Sequence, residues 1–302
     1  MRNPPCNNGC MPMTEQLPAA SAYIRTLRTE ISAAEEKAQR VRHTIESCWS
    51  MPADALPPPA MMNVVGSPDE THFRATMCDL FGELIQRGNI DRTETILDLG
   101  CGCGRLAIPF AAHLDGGAYF GVDVWPEGLD WCRENITSGT GAIRFIQREA
   151  ANNYYFEPRN PGAANSYHLS ELQPEQVDFA FAVSLFTHLQ KQDCISYFSE
   201  LSRVLKRGGC AYLTCFIIDE FFFDFVRRTG LHRSVSQEEQ GCYYAYQGQD
   251  FFAGYTRATW TRMLEDSGLK IVGSDPGKWA EKPGALHYQD TFMVVPQGYR
   301  KG

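Results

Sequence analysis

The 302-residue chain lacks an apolar run long enough to cross a bilayer, and its first residues lack the apolar core of a secretory signal. Both absences make a cytoplasmic location without a membrane partner the expectation. Positive charge is not in surplus either: 28 Lys and Arg against 36 Asp and Glu leave a net charge of −8. No overall field then attracts a phosphate backbone, so no nucleic-acid partner is expected. Internal repeats are missing. The eleven cysteines do not frame loops as a disulfide scaffold would; they fall in the strands and helices read below, which suits reduced thiols. The pairs Cys6/Cys10 and Cys101/Cys103 have no second Cys or His pair at zinc-site spacing, so no metal is expected. What the chain does have is 43% hydrophobic residues, ordinary for a globular protein, and a length that suits either one large α/β core with appendages or two modest domains.

Residues 1–18 are rich in Pro, Asn and Met without periodicity and read as a flexible tail. Over 19–50, Ile24, Leu27, Ile31, Ala34, Ala38, Val41, Ile45 and Cys48 recur at steps of three and four, the seam of one long amphipathic helix. Two arrangements are open for it. The helix lies on its own domain, or it pairs with a second copy as a coiled coil. In the second case an antiparallel register sets Glu30 against Lys37 and Glu35 against Arg42. Pro52 and Pro57-Pro58-Pro59 make 51–60 a semi-rigid linker into a domain over 61–302. Ser67-Pro68-Asp69-Glu70 reads as a capping box opening a helix through Phe73, Met77, Leu80, Phe81 and Leu84 to Gly88.

Beyond this point strand and helix alternate: Thr95 to Leu99, Leu106 to His113, Ala118 to Val122, Glu127 to Asn135 and Ile143 to Gln147. Val177 to Ser184 is a continuous apolar strand, Ile195 to Leu205 a helix stopped by Gly208-Gly209, and Cys210 to Ile218 another buried strand. A helix over Thr256 to Ser267 and strands at Lys270 to Gly273 and Thr291 to Val295 close the chain. Such alternation means an α/β fold, a doubly wound and mostly parallel sheet with helices on both faces. Two segments stand outside it. Ala150 to Gln176 has no periodicity and is too long for a plain connector, which makes it a candidate functional loop. An aromatic insertion at about 219–255 carries Phe221, Phe222, Phe223, Phe225, Tyr243, Tyr244, Tyr246, Phe251, Phe252 and Tyr255.

The chemistry concentrates in Ile96-Leu97-Asp98-Leu99-Gly100-Cys101-Gly102-Cys103-Gly104-Arg105, where glycines at alternate positions turn a buried strand into a helix. Glycine alone tolerates the positive backbone angles and close ligand approach of such a turn. Its spacing is G-x-G-x-G rather than the G-x-G-x-x-G of dinucleotide sites. Asp123 closes the next strand nineteen residues after Gly104, where a carboxylate can accept both hydroxyls of a ribose, or simply cap the helix at Pro126.

From Ile96 to Phe216 these motifs resemble the class I S-adenosylmethionine-dependent methyltransferases of the bacterial small-molecule and glycan-modifying type, over roughly Pro57 to Pro296. The resemblance implies a Rossmann-like, seven-stranded sheet whose last strand is antiparallel. It also implies S-adenosyl-L-methionine as cofactor. Asp98 would receive the methionine ammonium, Gly100, Gly102 and Gly104 would line the methionine and sugar, Asp123 would bind the ribose, and Trp125 would pack on adenine. Cys101, Arg105, Val124 and Ser184 complete the expected cofactor wall. Trp125 has core packing as its other reading.

Ser184-Leu185-Phe186-Thr187-His188-Leu189 is similar to the S-x-F-T-H-L run of many members and follows the fourth strand, outside whose carboxyl end a ligand crevice lies. His188 is then either a general base for an acceptor hydroxyl or a loop-holding residue. Phe186, His188, Tyr243, Tyr244 and Tyr255 are the candidate acceptor contacts, by aromatic stacking and phenol hydrogen bonds; the insertion's aromatics have their own core as the other reading. Enzymes methylating nucleobase or glutamine amines often carry Asn/Asp-Pro-Pro-Tyr/Phe at the same strand end, and this chain has Ser-Leu-Phe-Thr. The expected activity is methyl transfer to a hydroxyl of a small molecule or glycan. Methylation at nitrogen or carbon of a natural-product intermediate, and a non-catalytic cofactor-binding scaffold, are the alternatives.

Overall fold

The computed structural model describes residues 13–137, 139–148, 167–232, 234–247, 250–285 and 287–299. Helix α1 (Met13–Trp49) opens it, beginning inside the stretch read as a tail. Its two halves differ. Toward the C-terminus Cys48 is buried and Val41 and Ile45 pack into the domain core, while toward the N-terminus Ile24, Leu27 and Ile31 are exposed. The heptad seam is thus spent partly on the chain's own domain. Lys37, needed for the antiparallel pairing, donates instead to the backbone and side-chain oxygens of Asn89 at 2.7 and 2.8 Å.

The segment read as a linker is packed: Leu56 is buried, and α2 (Pro59–Val64) starts on the last proline of the triplet, whose fixed φ suits a first helical turn. Arg74 clamps the approach by donating to the carbonyls of Cys48, Trp49 and Met51. In α3 (Glu70–Gly88) the cap is Asp69, which accepts the His72 amide at 2.8 Å, rather than Ser67. Ser67 is two residues too early for that cap, and its hydroxyl turns to His72 Nδ1 and Arg105.

The sheet follows in the order expected of βαβ units: β1 (Thr95–Leu99), α4 (Ala107–His113), β2 (Ala118–Asp123), α5 (Pro126–Asn135), β3 (Ala142–Gln147), β4 (Val177–Ala182), α6 (Lys191–Val204) and β5 (Leu205–Cys215). Strand β5 begins directly where α6 ends, so Gly208-Gly209 lies inside a strand and does not stop the helix. After β5 the insertion is one helix, α7 (Glu220–Thr229), and a three-stranded antiparallel sheet of β6 (Ser236–Glu239), β7 (Cys242–Gln247) and β8 (Asp250–Tyr255). The enrichment of Tyr and Phe through 242–255 suits a strand ribbon, since aromatic side chains favour the pleated, half-buried surface. Helix α8 (Arg257–Asp266), β9 (Leu269–Asp275) and β10 (Asp290–Pro296) complete the chain.

The large sheet is seven-stranded in the order β3-β2-β1-β4-β5-β10-β9. Pairs among β1 to β5 are parallel, and β10 runs antiparallel to both β5 and β9. Both faces are buried, which explains the continuous apolar strands. Leu97, Leu99 and Val122 meet Phe198, Leu201 and Trp260 of α6 and α8 on one face; Ile96, Tyr119 and Phe181 meet Phe73, Phe81 and Phe110 of α3 and α4 on the other. The antiparallel entry of β10 brings 288–290 to the same edge as the carboxyl ends of β1, β2, β4 and β5. All chain reversals there leave loops around one crevice.

Candidate active site

A cavity of about 520 Å³ opens at that edge, within the size range of small-molecule sites. Its floor is the glycine turn. Gly100 (φ +83°) and Gly102 (φ +56°) occupy the left-handed region and line the cavity. The amides of Gly100 and Cys101 donate to the Val122 carbonyl at 2.8 and 3.1 Å, folding the turn against the end of β2. Gly104 (φ +80°) is not among the lining residues: a Cβ there would sit 2.5 Å from Ile136 and 2.8 Å from the Cys132 sulfur. Its smallness serves helix packing, not ligand approach.

Asp123 stitches turn and strand together. One carboxylate oxygen accepts the Gly102 amide at 2.7 Å, the other those of Val124 and Trp125 at 2.7 and 3.0 Å. Burial pushes its pKa up, and these three amides pull it back down. Three of about four carboxylate lone-pair sites are taken, which leaves one for a hydroxyl in the cavity. Asp98, on β1, is almost wholly buried but lines the same cavity. Its Oδ2 accepts a short hydrogen bond from the Tyr119 hydroxyl. Burial raises the Asp98 pKa to about 7, the Tyr119 bond opposing and the Asp123 charge adding to the rise. Two close, partly compensated carboxylates form a pocket for a cation and a diol.

Of the remaining sites read from the sequence, Cys101, Arg105, Val124, Trp125, Ser184 and His188 all line the cavity. Trp125 does so while mostly buried against Gly128, so it both packs and faces the crevice. Arg105 Nη1 donates to the Val65 carbonyl at 3.0 Å and lies 3.4 Å from the Ser67 hydroxyl. It thereby pins the 64–67 segment over the turn, where Val65 Cγ1 lies 2.7 Å from where a Cβ on Gly102 would stand. Ser184 and His188 follow β4. His188 Nδ1 lies 2.9 Å from the Phe251 carbonyl of β8. A carbonyl only accepts, so Nδ1 carries the hydrogen, and a lone pair on this ring can then sit only on Nε2.

Four expected acceptor contacts lie elsewhere. Phe186 is fully buried between Phe198 and Trp260 in the sheet core. Tyr255 is fully buried and donates to the Leu189 carbonyl at 2.5 Å. Tyr244 is buried and accepts the Lys191 amide at 3.1 Å, and Tyr243 donates to Gln237. None of the four is a lining residue. Tyr244 and Tyr255 of the insertion brace the segment after β4 through the Lys191 amide and the Leu189 carbonyl. Conversely, Val64, Val65, Gly66, Tyr167, Leu185, Phe216, Tyr288 and Gln289 line the cavity without having been singled out. Phe216 and Gln289 had a signal: each adjoins a strand end at the crevice edge. Most of the Ala150 to Gln176 loop, through 166, lies outside the described residues.

Among the described residues there is no cluster of three or more metal-ligating side chains, no helix is long and apolar enough to cross a membrane, and the nine described cysteines are free thiols.

Residues 96–209 match the model of a methyltransferase domain family. An uncharacterized methyltransferase of Schizosaccharomyces pombe is 28% identical over 126 residues, 42% of this chain and 40% of that protein. Ribosomal protein L11 methyltransferase of Dechloromonas aromatica is 34% identical over 96 residues, 30% of this chain and 31% of that protein. Both matches span less than half of the curated relatives' length. A Pyrococcus horikoshii protein of known structure superposes with a TM-score of 0.51 at 14% identity, over 79% of this chain and 95% of that one, a likeness of fold. By its domain match the region over 96–209 is similar to a methyltransferase domain, and the seven-stranded sheet with its antiparallel β10 and the glycine turn after β1 accompany that likeness.

Proposed function

We propose that this chain binds S-adenosyl-L-methionine at the β1–β2 edge and methylates a hydroxyl oxygen of a small-molecule or glycan acceptor. The observation that carries the reading is that Asp98 and Asp123 line one cavity on either side of a glycine turn whose left-handed residues open its floor. These residues fit the cofactor. Asp98 would hold the methionine ammonium, Asp123 one ribose hydroxyl through its remaining lone pair, Gly100 and Gly102 would leave room for the chain between them, and Trp125 would flank the adenine.

When bound, S-adenosylmethionine supplies a methyl group on a positively charged sulfur, and in-line displacement joins it to the acceptor oxygen as the carbon–sulfur bond breaks toward sulfur. The protein's share is alignment and exclusion of water, which Val64, Val65 and Gly66 provide as a cover fixed by Arg105. An attacking hydroxyl must also lose its proton. His188, turned by the Phe251 carbonyl so that Nε2 keeps the lone pair, is the residue to accept it.

Calorimetric titration of the full chain with S-adenosylhomocysteine tests the reading. One-to-one binding is expected, reduced at least 100-fold in Asp123→Ala with the circular dichroism spectrum unchanged. Failure of the unaltered protein to bind overturns it.

A further inference from the structure

Beyond the glycine turn the cavity is walled by Leu185, His188, Phe216, Tyr288 and Gln289, with Ser184 at the border. We propose that this half is the acceptor site and that it takes an uncharged planar aromatic molecule bearing a hydroxyl, an assignment that rests on the methyltransferase reading above. Three observations narrow the class.

Phe216 is held as part of an aromatic wall. Its ring stacks on Phe252 at 5.0 Å and 10°, lies 4.5 Å from Trp279, and meets Tyr288 edge-on at 6.2 Å and 84°. The wall is rigid. The Phe216 carbonyl accepts the Tyr255 amide at 2.9 Å, and the next residue, Ile217, donates its amide to Asp290 at 3.0 Å. Lys282 reaches Asp290 and Asp219 at 2.8 and 2.9 Å, and Trp279 Nε1 donates to Asp290 at 2.7 Å. A fixed aromatic face rewards a flat ring by stacking.

Polar groups on this side are few and largely paired with one another. The Thr214 hydroxyl donates to Gln289 Oε1 at 2.5 Å, Gln289 Nε2 donates to the Ser184 hydroxyl oxygen at 3.0 Å, and the Ser184 amide donates to Thr214 Oγ1 at 2.8 Å. Together with Thr187, which donates to the Ser184 carbonyl, this ring holds Ser184 at φ +60°, a conformation a serine rarely adopts. Because Ser184 Oγ accepts from Gln289, its own hydrogen is turned away from that bond, which makes Ser184 a donor to one acceptor oxygen on the cavity side. A sugar would bring several hydroxyls into a wall that can pair with few of them.

The third observation is charge. Among the described lining residues the ionisable side chains other than tyrosine are Asp98, Cys101, Arg105, Asp123 and His188; the first four stand around the glycine turn, and burial keeps the Cys101 thiol protonated. Arg105 is already turned to Val65. A carboxylated or phosphorylated acceptor would lose its water next to Phe216 and Tyr288, and among the described lining residues no fixed cation stands there to replace it.

The test is a fluorescence titration of the full chain, saturated with S-adenosylhomocysteine, with 2-naphthol and with 6-hydroxy-2-naphthoate, which differ by one carboxylate. Saturable naphthol binding at least tenfold tighter than naphthoate binding is expected. Phe216→Leu, which keeps an apolar side chain and removes the ring, should weaken naphthol at least fivefold and leave S-adenosylhomocysteine affinity within twofold. Naphthoate binding as tightly as naphthol, methyl glucoside competing at equal concentration, or a Phe216→Leu variant with unchanged naphthol affinity would each overturn the proposal. If S-adenosylhomocysteine itself does not bind, the cofactor reading has failed first, and calorimetry without naphthol identifies that failure.

Discussion

Along the carboxyl edge of the sheet, the β1–β2 half joins Gly102 to Asp123 across 21 positions of sequence, whereas the β4–β5–β10 half joins Ser184 to Gln289 across 105. The first half is charged and built on backbone amides; the second is aromatic, and side chains hold its polar groups to one another. One βαβ unit is enough to shape a nucleoside site, because a strand end, a turn and a helix start are consecutive in the chain. An acceptor wall needs strands that meet only after the sheet closes. The comparison also explains the insertion: its β8 orients His188 from behind and ties down the Phe216 backbone, so its aromatics support the wall more than they form it.

The largest effect that can break this contrast is expected at Lys282, which is buried between Asp290 and Asp219. Lys282→Met leaves two carboxylates without their cation and should cost about 3–5 kcal/mol of stability, read as a lower urea midpoint. Below that transition, S-adenosylhomocysteine affinity should stay near that of the unaltered protein, since only the β5–β10 half is loosened. Loss of cofactor affinity in proportion to naphthol affinity would show that the halves are one unit.

A second test addresses the charged half through pH. Burial raises the Asp98 pKa to about 7. A carboxyl whose folded pKa lies above its unfolded value is more easily protonated in the fold, so the ligand-free protein gives up stability as pH rises from about 4 toward 7. A cationic ammonium prefers the carboxylate. S-adenosylhomocysteine affinity should therefore climb up to about tenfold per pH unit below 7 and level off above it. Asp98→Asn should bind more weakly and remove the slope; an unchanged slope would assign the titration to another group. Naphthol binding should be flat over the same window.

The smallest effect is expected at Tyr244, whose hydroxyl accepts the Lys191 amide. Tyr244→Phe should lower stability by about 0.5–1.5 kcal/mol and leave both ligands' affinities unchanged. A changed naphthol affinity would return the insertion to the acceptor wall.

The parallel sheet, the glycine turn and Asp123 were legible in the order of residues, because each depends on neighbours close in sequence or on a period of two or three to four. Errors cluster where two local signals compete. The capping box put the cap at Ser67, whereas the structure caps the helix with Asp69. Gly208-Gly209 resembles a helix stop, but Leu205 already pairs with Val177 of β4, so the chain enters the sheet before reaching the glycines. Phe186, Tyr244 and Tyr255 shared the aromatic character expected of a pocket, yet aromatic rings serve a core equally well, and burial assigned them to it.

What the amino-acid order determined by itself was the fold class, the strand ends that face the crevice and the carboxylates of the nucleoside half. Only the tertiary structure decided which face of each strand end meets the cavity. It spent the C-terminal half of α1 on the chain's own domain, brought Val65 down over Gly102, and set Phe216 and Gln289 beside Ser184. The physical reason is range. Turn geometry and periodicity act between near neighbours, whereas a wall built from β4, β5 and an antiparallel β10 exists only once the last strand has inserted between β5 and β9.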